Sequence, residues 1–222
     1  MIRFVAVPGE GRGPIETGHG AIRAAAAWVD EGRILAHPTS TVYGIGARPE
    51  PALDREIARL KGRDSESPLI VIGANTDALR RAFPGLAWSA AVDRLAAVFW
   101  PGPLTIVVPP ADEGDAPGVA VRVDGHPVVR QVLAESGGVM TSTSLNRTGE
   151  PPTTDGREAR TVLETLHGTG RVPLALLDAG DLGVARPSTI VAIEDDGVRL
   201  IREGAVAWRE VTSVVSAERT GS

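Results

Sequence analysis

The sequence predicts an α/β domain in which helices are layered on one large mixed sheet. Three observations carry that expectation. Segments with apolar residues at helical spacing alternate with short apolar runs along the chain, the pattern of a layered α/β domain. Some runs follow each other too closely for a crossover. Residues 190–193 and 198–201 are separated by Glu194-Asp195-Asp196-Gly197, and the Asp-Gly pair suits a hairpin, so the sheet is mixed rather than wholly parallel. Finally, 222 residues with 42% hydrophobic and 23% charged side chains fit one large core.

The elements follow in order. Residues 18–32 are Ala-rich with apolar residues at helical spacing, and Gly32 closes this helix. Residues 33–37 read as a short buried strand, 38–46 as a loop rich in Thr, Ser and Gly, and 51–60 as a helix that starts after Pro49. A strand over 69–72, a helix over 89–99 and strands over 104–108 and 118–123 come next. Residues 127–135 read as a helix, 139–142 as a strand running into a polar loop, and 155–166 as a helix. Strands at 174–177, 189–193 and 198–202 and a closing helix at 208–215 complete the series, with 218–222 read as a disordered tail.

Composition excludes several function classes. Cysteine is absent, which removes disulfides, thiol nucleophiles and Cys-ligated metals. The four histidines, His19, His37, His126 and His167, have no metal-ligand spacing, so no protein-held metal is expected. There is no Gly-x-Ser-x-Gly elbow, and no carboxylate pair stands out for acid–base work. Residues 1–7 lack the basic start and apolar run of a signal peptide, and no apolar stretch approaches the roughly 18 residues that span a bilayer. A cytoplasmic protein without a membrane segment is the expectation. The net charge of −5 weighs against a general nucleic-acid binder.

One bias is sharper. Of 23 basic residues, Lys61 is the one lysine and the rest are arginine; Tyr43 is the one tyrosine, and Asn75 and Asn146 are the two asparagines. Together with abundant Ala, Arg and Gly, this looks like drift toward GC-rich codons, and the residues it spared are there by chance or by chemical need. Tyr43, Lys61 and Asn146 fall inside the segments that could carry chemistry.

The first such segment, His37-Pro-Thr-Ser-Thr-Val-Tyr-Gly-Ile-Gly46, offers hydroxyls and free backbone N–H groups to an amino acid or phosphate, although spacing alone favours an ordinary turn with a threonine cap. Lys61 and Arg63 stand two apart at a helix end, where they either complement the helix dipole or clamp a phosphate. Trp100-Pro-Gly-Pro-Leu-Thr105 reads as rigid scaffold. Arg122 alternates with apolar residues in Val119-Ala-Val-Arg122, with Asp124 and His126 nearby, and faces either a cleft or the surface. Ser144 and Asn146 stand two apart after a strand, suited to orienting ligand oxygens or to capping a turn. Ser188 and Thr189 open a later strand, and Arg202 closes the next beside Gly204.

In this order the segments resemble the YrdC-like family of threonylcarbamoyl-adenylate synthases. The shared pattern is Pro-Thr-x-Thr-x-Tyr-Gly-x-Gly, Lys-x-Arg, Trp-Pro-Gly-Pro-x-Thr, Val-x-Val-Arg, Ser-x-Asn, Ser-Thr followed by two hydrophobic residues, and Arg-x-Gly, spread over roughly residues 18–206. The resemblance implies a three-layer α/β fold with a twisted, mixed sheet of roughly seven strands around a concave basic cleft. It implies a catalytic domain over 1–206, a C-terminal helix and tail over 207–222, and no second domain. The implied activity is that of a nucleotidyltransferase condensing L-threonine, bicarbonate and ATP to L-threonylcarbamoyl-AMP and pyrophosphate, for threonylcarbamoyladenosine modification of tRNA. The product would pass to a separate tRNA threonylcarbamoyl transferase complex, with at most weak RNA contact by this chain, and Mg²⁺ would arrive with ATP.

Carried over residue by residue, Lys61, Arg63, Ser144 and Asn146 match the family's catalytic and ATP-binding set, Arg202 a further nucleotide contact, and Thr41, Arg122 and Ser188 the positions that hold threonine, with Thr39 a neighbour. The sequence departs from the pattern at Ile72, where histidine is usual and one threonine contact would be lost, and at Ala192, where aspartate is usual. Thr143 and Leu145 replace the residues usual before and after Ser144, and Asp64-Ser65-Glu66 lacks the usual proline. Two alternatives compete: a relative that makes carbamoyl-adenylate, and a non-catalytic RNA-binding module.

Overall fold

The structure, a computed structural model, describes residues 3–7, 15–62, 69–112, 117–168, 172–183, 186–194 and 197–216. The strands are β1 (Arg3–Val7), β2 (Ile15–Thr17), β3 (Ile34–His37), β4 (Gly44–Gly46), β5 (Ile70–Gly73), β6 (Leu104–Val108), β7 (Val119–Val123), β8 (Val139–Ser144), β9 (Leu174–Asp178), β10 (Thr189–Glu194) and β11 (Gly197–Arg202). The helices are α1 (His19–Asp30), α2 (Pro51–Lys61), α3 (Thr76–Ala82), α4 (Ala90–Phe99), α5 (Pro127–Glu135), α6 (Gly156–His167) and α7 (Trp208–Ser216). Arg63, the 64–66 stretch, Asp195, Asp196 and the 218–222 tail lie outside the described residues.

All the strands join one sheet in the order β11-β10-β6-β7-β5-β8-β4-β3-β9-β1-β2. The pairs β10/β6, β5/β7 and β3/β9 are parallel, and the remaining neighbours are antiparallel, so the sheet is mixed as expected. The expected strand number of roughly seven is too low. Nine strands run from β11 to β9, and β1 with β2 extends that edge. β4 lay inside the stretch read as a loop because Gly-Ile-Gly has little intrinsic strand preference. It is a strand because β3 and β8 pair with it on both sides. Gly46 permits that contact: a Cβ there would sit 1.7 Å from the Thr141 carbonyl oxygen. α3 was not expected either. It is one short helix capped by Asn75, whose Oδ1 accepts from Ala78 N at 2.8 Å.

Alternation along the strands sorts the layers. On β3, Leu35 faces a core shared with α1 and α5, while Ile34 and Ala36 face another shared with α2 and α6. Helices therefore cover both faces of the sheet here, giving three layers. On β6, β7 and β10, residues Leu104, Ile106, Val121, Val123 and Val191 face a third core with α4 and α7. Their neighbours Arg122 and Ile190 point to the opposite face, where a cleft opens. α7 is seated in that third core through Val211, fully buried, with Trp208 and Val214 packed alongside.

Candidate active site

The cleft has a volume of about 300 Å³ and is lined by loop, strand and hairpin residues brought from distant parts of the chain. Thr39, Thr41 and Val42 come from the loop after β3, Arg122 from β7, Ser142, Thr143 and Ser144 from β8, Ser188 from just before β10 and Arg202 from the end of β11. Of the residues expected to bind threonine, all four line it. Ser144 and Arg202 of the nucleotide set do so as well.

The loop after β3 is held by its own hydroxyls. Thr39 Oγ1 donates to Val42 O at 2.6 Å and accepts from Val42 N and Thr41 N at 3.1 and 3.2 Å. Its proton is thereby committed, so in the 3.0 Å contact with Thr41 Oγ1 the donor is Thr41. Thr39 thus shapes the loop, and Thr41 is the hydroxyl beside it at the cleft. Beneath them His37 is fully buried and pairs Nε2 with Ser142 Oγ at 3.2 Å. Burial pushes the His37 pKa down to about 4, so the ring is neutral at physiological pH. The Tyr43 hydroxyl leaves the cleft altogether: it donates to Gly180 O at 2.8 Å and accepts from Ala179 N at 3.0 Å. Burial pushes its pKa up.

Lys61, at the end of α2, is 4% exposed. Its ammonium donates to Ser144 O, to Asn146 O at 2.8 Å and to Asn146 Oδ1 at 2.8 Å. An ammonium can only donate, so the Asn146 atom it meets is the oxygen. Ser144 Oγ, 2.6 Å from the same oxygen, must then be the donor there. Asn146 Nδ2 donates to Glu150 O. The structure brings Lys61, Ser144 and Asn146 together as expected.

Across the cleft Arg122 and Asp124 form an ion pair that is 3% and 0% exposed. Arg122 Nε donates to Gly102 O at 2.9 Å, and Nη2 donates to Ser40 Oγ at 2.7 Å and is the nitrogen ion-paired with Asp124. Nη1 is left without a hydrogen bond to any described residue. Asp124 in turn accepts from Ser40 N at 2.9 Å and His126 N at 2.7 Å. Burial lowers the pKa of Arg122 and the Asp124 charge opposes that; the nearby Arg202 lowers it further. Burial lowers the pKa of Arg202 too. Arg202 Nη2 donates to Ser188 O at 2.9 Å, and Thr105 Oγ1 donates to Ser188 Oγ at 3.1 Å. Gly204 is required beside them, since a Cβ there would fall 2.1 Å from Pro187 O.

Two departures from the family pattern have simple positions. Ile72 is 1% exposed and packs in the core with α1 and α5, while Ala192 is 6% exposed on β10; neither lines the cleft. No cluster of three or more His, Asp or Glu residues that could hold a metal exists among the described residues. No helix of the described residues is long and apolar enough to cross a membrane. The sequence reading missed Ser40, Ser142 and Thr105 as partners of site residues.

Comparison with known proteins agrees with this geometry. The family model Sua5_yciO_yrdC, described as telomere recombination, matches residues 27–204. A threonylcarbamoyl-AMP synthase of Chromohalobacter salexigens is 40% identical over 178 residues, which is 76% of this chain and 90% of the relative. A putative threonylcarbamoyl-AMP synthase of Mycobacterium tuberculosis is 32% identical, covering 92% of this chain and 93% of the relative. The structure of P. abyssi Sua5 complexed with L-threonine superposes with a TM-score of 0.75 at 31% identity, covering 90% of this chain. The chain spans 58% of that protein's length. E. coli YciO, at 22% identity and a TM-score of 0.72, shares the fold.

Proposed function

The chain belongs to the Sua5/YciO/YrdC family, and we infer that it is an L-threonylcarbamoyladenylate synthase. It condenses L-threonine, bicarbonate and ATP to L-threonylcarbamoyl-AMP and pyrophosphate. The observation that carries this reading is one cleft lined by a partly unsatisfied Arg122 and by Ser144, with Lys61 and Asn146 bonded to Ser144 behind the cleft wall.

The residues suit that chemistry. The threonine carboxylate meets Arg122 Nη1, with the hydroxyls of Ser188 and Thr41 completing its surroundings. The threonine amine joins the carbon of bicarbonate with loss of water, giving a carbamate. A carbamate oxygen then attacks the α-phosphorus of ATP, and the bond to the bridging oxygen breaks as pyrophosphate leaves. Charge accumulates on phosphate oxygens in that step. Lys61, Arg63 and Arg202 offset it, and fixed donors in a shielded cleft need little reorganisation. Asn146 and Ser144 hold the turn on which this set is built. We expect the nucleotide to enter as MgATP, in which the ion would help to offset phosphate charge. We expect the product to pass to a tRNA threonylcarbamoyl transferase complex in the cytoplasm, with at most weak RNA contact by this chain.

Incubation with ATP, Mg²⁺ and bicarbonate, with and without L-threonine, tests the reading. Pyrophosphate release that requires L-threonine and is not supported by L-serine is the expected result. Release without an amino acid would instead indicate a carbamoyl-adenylate-forming enzyme. No release, with RNA binding, would indicate a non-catalytic module.

A further inference from the structure

We propose that Asp124 is a positioning residue for substrate selection: it fixes the Arg122 guanidinium edge-on, so that Nη1 is the nitrogen presented to the carboxylate of the amino-acid substrate. This rests on the assignment of Arg122 to the threonine carboxylate. The argument begins with donor accounting. A guanidinium has five N–H groups in a rigid plane. In this site Nε–H is used by Gly102 O, and Nη2 is engaged by its hydrogen bond to Ser40 Oγ and its ion pair with Asp124. The pair on Nη1 remains, on a residue that lines the cleft.

Asp124 is the hub of this arrangement rather than a bystander. It lies two residues after Arg122 at the end of β7, fully buried, and its two oxygens receive Ser40 N, Ser40 Oγ, His126 N and Arg122 Nη2. The carboxylate therefore ties three things together: the loop carrying Thr39 and Thr41, the cap of α5, and the guanidinium. Gly125, which separates Asp124 from His126, leaves room for this, since a Cβ there would already be 3.3 Å from Ser40 Cβ. A guanidinium free to rotate would offer a two-nitrogen edge to any dianion, including the phosphates in the same cleft. Held by Nε and Nη2, it presents Nη1 alone and in a fixed direction, where a rotating guanidinium would take either anion, carboxylate or phosphate, bidentately.

Asp124→Asn is the informative variant. The oxygen of the substituted carboxamide can still accept from Ser40 N and His126 N, but its NH₂ would face Arg122 Nη2 donor to donor, so the guanidinium loses its anchor while the loop is kept. The expected result is a rise in KM for L-threonine on the order of 10-fold, about 1.4 kcal/mol, with KM for ATP within about twofold. In an Arg122→Gln background the same change should add less than about twofold, because a residue acting through Arg122 has nothing left to act on. If Asp124→Asn does not fold, Ser40→Ala removes the other Nη2 acceptor and should raise the threonine KM a few-fold, again without moving that for ATP. Equal rises in both KM values, additivity in the Arg122→Gln background, or a threonine KM that falls would overturn the proposal. A fall would show that Asp124 restrains Arg122 rather than aiming it. Wild-type release that never depended on threonine would instead overturn the assigned function.

Discussion

Replacing Lys61 with methionine removes three donors from one buried point while keeping most of the aliphatic stem. Among the described residues, the acceptors left behind are Ser144 O, Asn146 O and Asn146 Oδ1. Hydrogen bonds to a charged group are worth about 1.5–3 kcal/mol each, but they do not add when they share a donor. Two backbone ties survive: Thr148 N still donates to Lys61 O at 3.1 Å, and Leu145 N to Tyr43 O at 2.8 Å. Ser144 is also half-buried, so water can reach part of the gap. A net loss of about 3 kcal/mol is the resulting estimate, which in a domain of this size lowers Tm by roughly 6–12 °C. Loss of a cation beside the transferring phosphoryl group should cut threonine-dependent pyrophosphate release on the order of 100-fold or more. Differential scanning calorimetry and a coupled pyrophosphate assay read the two effects separately. Lys61→Arg restores the charge without the compact tripod and should recover only part of either. A Lys61→Met enzyme that is destabilised yet releases pyrophosphate at the wild-type rate would refute the catalytic reading and leave Lys61 a scaffold residue.

Other outcomes follow from single features. His37 has its folded pKa depressed from 6.5 to about 4, so it contributes stability that is complete above pH 6.5 and is lost as pH falls toward 4; the loss approaches about 3 kcal/mol. Urea unfolding of wild type and His37→Gln between pH 7.5 and 4.5 should show a steeper decline in wild type. Gly204→Ala pushes a methyl against Pro187 O and the Ser188 carbonyl, so it should cost about 1–3 kcal/mol and raise the threonine KM more than the ATP KM. Tyr43→Phe strips the hydroxyl from Gly180 O and Ala179 N, and thermal unfolding should report a loss of about 1–3 kcal/mol with KM values unchanged.

The helices with strong periodicity, and strands such as 104–108, were legible because local pattern and tertiary burial agree there. β4 was not, because its pairing comes from neighbours and its glycines are selected by closeness to Thr141, which no local preference records. The site divides in the same way. Ordered motifs pointed to Arg122, Ser144, Asn146, Ser188 and Arg202, yet the connections among them were hidden. The Thr105–Ser188 contact follows from β6 and β10 lying side by side, a register no spacing discloses. The Asp124 role did leave a signal: Arg-x-Asp at a strand end puts both side chains on one face, where opposite charges in an apolar run are expected to pair.

The rare residues can now be separated by what each position demands. Asn75 caps α3 through one oxygen acceptor, a task that Ser, Thr or Asp would also perform, so its survival in a chain so poor in asparagine needs no chemical reason. Asn146 is different. Its oxygen receives Lys61 and Ser144 while its nitrogen donates to Glu150 O, and only a carboxamide supplies both. Tyr43 must donate and accept at the far end of a buried ring, which no other side chain does at that reach. Among the described residues, Lys61 meets three oxygens converging on one nitrogen. An ammonium satisfies them tetrahedrally, whereas a guanidinium spreads its donors along a plane and would need a wider space than this buried turn has. In a chain that uses arginine everywhere else, the one lysine stands where the hydrogen-bond geometry excludes arginine.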